Sequence, residues 1–162
     1  MALRFVLLLL AWLALPPEAR AETAAPRPED KAAIDACLRG KGANVQRHTD
    51  CIGAVMAPCR ERPGGDTTYG LVTCAKRELA VWDGLLNAAY KALQPQLDRK
   101  QRGELRDVQR LWITWRDRKC GFDRYLYEGG SIVGPLVADC VNAETARRTI
   151  ELRALHRDLT NR

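Results

Sequence analysis

The sequence predicts an all-α fold, a small disulfide-stapled bundle of three main antiparallel helices with a short helical N-terminal segment. Two positive signs support it: apolar residues recur at three- and four-residue steps over three long stretches, and six cysteines sit where they can close local loops. The third observation is negative, since no β-branched run alternates with polar residues over strand length. The implied organisation is a leader over 1–21, a disordered lead-in over 22–28, a disulfide-pinned helical segment over 29–65 and a three-helix domain over 66–162.

Arg4, the apolar run from Phe5 to Leu15 and the small-x-small motif Ala19-Arg20-Ala21 read as an export signal cleaved near Ala21. The Ala- and Pro-rich residues from Glu22 to Pro28 lack apolar periodicity. A first helix is expected from Glu29 to Leu38, with Gly40 just beyond its end. Lys41 to Asp50 is polar and reads as a loop. Cys51 to Met56 allows one or two helical turns ended by Pro58, and Arg62-Pro63-Gly64-Gly65 reads as a turn.

Asp66 or Thr67 caps the first long helix, along which Leu71, Ala75, Leu79, Trp82, Leu86 and Leu93 mark one stripe until Pro95 ends or kinks it. Asp98 followed by Gln101 is a capping-box start for the second, where Leu105, Val108, Trp112 and Trp115 share a face up to Cys120-Gly121. Ser131 or Pro135 opens the third, with Val141, Thr145, Arg148, Leu152, Leu155 and Leu159 as its seam.

An even set of cysteines behind an export signal favours disulfides over a metal cluster. Six cysteines allow 15 connectivities, and local geometry favours Cys37 with Cys51, Cys59 with Cys74 and Cys120 with Cys140. No metal site and no cofactor are expected, because C-x-x-C is absent and only His48 and His156 are available. The leader carries Arg4, Arg20 and Glu18, so the remainder keeps +5 of the chain's +6. Lysines and arginines are scattered at helix-surface spacing without interleaved aromatics, which argues against nucleic acid as partner. No stretch reaches the ~20 apolar residues of a transmembrane helix, and a periplasmic or secreted protein is expected.

Trp82, Leu86, Asn87 and Tyr90, the run from Gln109 to Asp117, Lys119-Cys120, Glu128 to Ser131, Asp139-Cys140, and Thr145, Arg148 and Leu152 together resemble the bacterial LprI-type lysozyme-inhibitor-like family. The resemblance covers roughly Cys59 to Leu159. It implies a small exported helical domain with lysozyme inhibition as its activity, and hence a protein partner, a lysozyme or another exported or envelope protein.

No catalytic residue is assigned. H-E-x-x-H and G-x-S-x-G are absent, and Ser131, the only serine, has no histidine expected near it. Tyr125, Tyr127, Glu128, Gly129, Gly130 and Ser131 lie in an inter-helix connection and form the candidate recognition loop. Alternating helices would gather Glu78, Arg116, Thr145 and Arg148 near one pole as a structural polar core, with an ion pair expected from Glu78 to Arg116 or Arg148. Basic animal-type lysozymes would repel a +5 chain unless an acidic patch such as Asp123, Glu128 and Asp139 made the contact. The competing reading is an envelope module that binds another exported protein or an anionic cell-surface polymer.

Overall fold

The structure, a computed structural model, describes residues 24–162. The expected leader and its cleavage near Ala21 lie outside the described residues. Seven α-helices follow in order among them: α1 (Pro28–Gly40), α2 (Val45–His48), α3 (Met56–Arg60), α4 (Thr68–Leu93), α5 (Arg99–Gly121), α6 (Asp123–Leu126) and α7 (Val133–Thr160). Single 3-10 turns occupy Thr49–Cys51 and Gln94–Gln96, and no strand forms among the described residues.

The long helices begin where side chains satisfy orphan amides. Thr67 caps α4 by accepting from the Gly70 N–H at 3.0 Å. Asp98 and Gln101 bond each other's backbone amides reciprocally at 2.8 and 2.9 Å, closing the capping box of α5. Pro95 sits inside the 3-10 turn that ends α4. The third long helix departs from expectation: α7 starts at Val133 with no side-chain cap, and Ser131 lies in the turn before it. The segment expected to be a loop over Lys41 to Asp50 holds α2, because the Asn44 side chain accepts from the Arg47 N–H at 3.3 Å and nucleates a turn. Pro58 stands in the first turn of α3, where its missing N–H costs nothing, so it does not end a helix there.

Hydrogen bonds set the register of the bundle. Asn142 meets Glu78, Thr149 reaches the Trp82 carbonyl and Thr160 meets Gln96, so α4 and α7 run parallel. α5 returns antiparallel to both, and its end is tied to α7 through Cys120 and Cys140. The buried seam of α7 is Ala138, Asn142, Thr145, Thr149 and Leu152: Thr145 and Leu152 are as expected, Asn142 and Thr149 take the places expected for Val141 and Arg148, and Leu155 is exposed. Small side chains on this seam let α7 approach α4 closely.

The core has two lobes. Trp82, Val81 and Leu85 of α4 pack with Ile34 and Leu38 of α1, with Cys51 and Val55, and with Ile150 of α7. Leu86, Ala89 and Leu93 pack with Leu152, and Leu105 and Trp112 of α5 cover them in part. The N-terminal segment is therefore part of the packed core. In contrast, Cys120 is the one fully buried residue of α5. Its expected single stripe splits, with Leu105 and Trp112 turned inward while Val108 and Trp115 face outward.

Candidate functional site

Three disulfides pair Cys37 with Cys51, Cys59 with Cys74 and Cys120 with Cys140, as local geometry favoured. The third matters most for the candidate loop. It closes a 20-residue separation that contains α6 and the turn from Tyr127 to Ile132, so both ends of this connection are fixed to long helices.

Within it, Tyr125 is 80 % exposed, Leu126 57 % and Tyr127 49 %, so three adjacent large side chains stand in solvent. Phe122 lies beside them, its ring centroid 6.4 Å from that of Tyr125. Glu128 and Gly129 both take positive φ, 42° and 81°, which reverses the chain, and the Gly130 N–H closes the turn on the Tyr127 carbonyl at 2.8 Å. Gly130 and Ser131 are exposed. The six residues named from sequence thus occupy one contiguous, covalently framed projection. Of the acidic patch considered with them, Asp139 is engaged by Arg60 of α3, which leaves Asp123 and Glu128.

The expected polar core divides in two. Glu78 is completely buried and pairs with neither Arg116 nor Arg148. Its carboxylate instead accepts five N–H groups: from the backbone of Gly53 at 2.7 Å, Val55 at 2.9 Å and Met56 at 2.7 Å, and from Trp82 Nε1 and Asn142 Nδ2 at 3.0 Å each. The Val55 and Met56 amides open α3, so a side chain of α4 caps another helix from outside. Hydrogen bonds to a full carboxylate satisfy it as an ion pair would, and leave no lone pair in need of an arginine.

Arg116 and Arg148 bind α5 to α7. Arg116 donates to the Thr145 hydroxyl at 3.2 Å and to Asp117, and stacks over Trp112 at 5.0 Å from the ring centroid. Arg148 donates to Gln109 and to Glu151, each at 3.0 Å. Two further anchors escaped sequence reasoning. Arg77 and Asp30 form a buried ion pair between α4 and α1, and Lys119 and Arg147 flank the buried Glu144. Because α5 stands off from α4, a groove of about 240 Å³ opens between them, lined by Asn87, Tyr90, Gln109 and Trp112 among others.

The disulfide-framed loop thus exposes Tyr125, Leu126 and Tyr127 on an all-helical bundle. The family model described as Lysozyme inhibitor LprI matches residues 59–152. The chain belongs to the LprI family. Two of the three disulfides and the whole exposed projection lie inside the LprI match, while the Cys37–Cys51 bridge lies before it. An uncharacterized protein of Rhizobium meliloti (strain 1021), R02472, is 34% identical over 95 residues. The aligned region covers 58% of this chain and 62% of that relative. No solved structure matches the chain. No helix among the described residues is long and apolar enough to cross a membrane.

Proposed function

We propose that the protein is an exported, non-catalytic binding protein that inhibits a peptidoglycan hydrolase by docking the Tyr125–Ser131 projection on it. The observation that supports this most is the exposure of Tyr125, Leu126 and Tyr127 on a segment fastened at both ends by Cys120–Cys140. Aromatic side chains in solvent are desolvated on docking and dominate binding energies, and a framed loop loses little entropy when it binds. The LprI family description supports the choice of hydrolase as partner. Glu128 and Asp123 supply negative charge beside the aromatics, opposite in sign to the chain as a whole and suited to a basic lysozyme.

The test is lysozyme activity on cell walls with rising amounts of the oxidised protein, at low and moderate salt, beside a Tyr125→Ala/Tyr127→Ala variant. Inhibition by the natural protein that the variant loses is the expected result. Absence of inhibition against animal-type and bacterial hydrolases at micromolar protein would overturn the reading.

A second reading rests on Arg99, Arg102, Arg106 and Arg110, which are exposed and recur at three- and four-residue steps along α5. Such a ridge suits an anionic envelope polymer. Salt-sensitive binding to anionic wall fractions, with no effect on hydrolases, would favour it.

A further inference from the structure

The outward face of α5 carries a seam of its own. Glu104, Val108, Leu111, Trp115, Arg118 and Phe122 follow one another at alternating steps of four and three, the 3.5-residue spacing that a partner helix reads in a coiled coil. All six are exposed, Leu111 at 71 % and Trp115 at 50 %. The inward residues Leu105, Gln109, Trp112 and Arg116 lie roughly 120° around the helix, at 100° per residue. The fold therefore leaves a complete helix-packing surface uncovered in addition to the one it uses.

We propose that this seam pairs antiparallel with the same seam of a second copy of the chain, about a two-fold axis through Leu111. Charge order selects both the occupant and the direction. The seam runs from Glu104 through the apolar Val108, Leu111 and Trp115 to Arg118, so it is acidic at one end and basic at the other. Turned end for end on itself, it sets Glu104 against the partner's Arg118, Val108 against the partner's Trp115, and Leu111 against its own equivalent. A parallel arrangement would place Glu104 against Glu104 and Arg118 against Arg118, and like charges disfavour it. Such an interface is self-complementary, as a two-fold contact must be. It spans about 27 Å of helix, from Glu104 to Phe122 at 1.5 Å per residue. The Tyr125–Ser131 projections lie beyond both ends of the seam and stay free.

Sedimentation velocity on the oxidised protein from low to high micromolar concentration tests the pairing, with Glu104→Lys, Arg118→Glu and an equimolar mixture of the two. The expected result is a concentration-dependent dimer that each variant alone weakens at least tenfold, equivalent to about 1.4 kcal/mol. The mixture should restore it, because the two substituted side chains then oppose each other with complementary charge at one end of the seam, and the natural Glu104 and Arg118 remain paired at the other. As a second measurement, Leu111→Cys should cross-link to itself under mild oxidation, with helix content unchanged by circular dichroism. A natural protein that stays monomeric throughout, a dimer indifferent to both reversals, or a mixture that fails to re-associate would each overturn the proposal. Capture of a helix from another protein by a monomeric chain would overturn it too, and assign the seam to that partner instead.

Discussion

Arg77 grips Asp30 in a two-point clasp, Nε to Oδ2 at 2.7 Å and Nη2 to Oδ1 at 2.5 Å, joining positions 47 residues apart in the chain. Asp30 Oδ2 also accepts the Arg27 N–H at 2.7 Å, so the same carboxylate closes the first turn of α1 and docks that helix on α4. Both side chains are buried, and removal of either one takes from the other a two-point, charge-assisted contact. Asp30→Ala or Arg77→Ala should cost about 3–5 kcal/mol in chemical denaturation. The double substitution should cost less than the two single losses added together.

The clasp also predicts acid sensitivity. Burial pushes the Asp30 carboxyl up, but the hydrogen bonds from Arg77 and from the Arg27 amide, with the two guanidinium charges, outweigh it and hold the pKa below the ordinary carboxylate value. Its contribution is present above the unfolded pKa, about 3.9, and is lost as pH falls from there through the lower folded value. Denaturant midpoints measured between pH 6 and pH 2 should fall, and fall less steeply in Asp30→Asn, when the pH range is chosen to bracket that ordinary value of about 3.9.

Glu78→Gln keeps the shape of the side chain and reverses the polarity of one terminal atom. The new amide turns a donor toward backbone N–H groups that need an acceptor, at about 1–3 kcal/mol for each one left unpaired. Hydrogen exchange should report the loss locally, as faster exchange at Val55 and Met56, because those amides bond to Oε2. Unchanged protection there would contradict the capping role.

Two tryptophans of similar size should behave in opposite ways. Trp82 is completely buried and bonded to Glu78, and Trp82→Ala should cost about 3–5 kcal/mol. Trp115 is half exposed with Lys119 over its ring at 4.9 Å, so Trp115→Ala should change the stability of the single chain by about 1 kcal/mol or less. Urea titrations of both variants at low protein concentration decide the matter.

Loss of the frame should separate folding from docking. Cys120→Ser/Cys140→Ser releases the loop and should cost about 3 kcal/mol by chain entropy. If the projection docks as proposed, this variant should inhibit less well at temperatures where it is still folded by circular dichroism.

Much of this was legible because the signals are chemical and local. Thr67, Asp98 and Gln101 announce helix starts, Pro95 an ending, and the cysteines their short loops. The exposed Tyr125–Ser131 connection followed from its place between helices. Glu78 reads correctly as part of a polar core, but its partners differ from the expected arginines, since backbone amides have no residue signature and an arginine does. The α7 seam is legible at Thr145 and Leu152 but not at Asn142 and Thr149, which are polar and invisible to a search for apolar periodicity. α5 defeated the single-stripe reading because it carries two seams, and residues of both were merged into one.

The order of the disulfides along the chain has a consequence for biogenesis. Cys37 meets Cys51, Cys59 meets Cys74 and Cys120 meets Cys140, so each bridge closes before the next begins and none interleaves with another. A chain threaded N-terminus first into an oxidising compartment would find the correct partner for each thiol in the next cysteine to emerge. Simple sequential oxidation then yields the native pairing, with no need for an isomerase to reshuffle mispaired sulfurs.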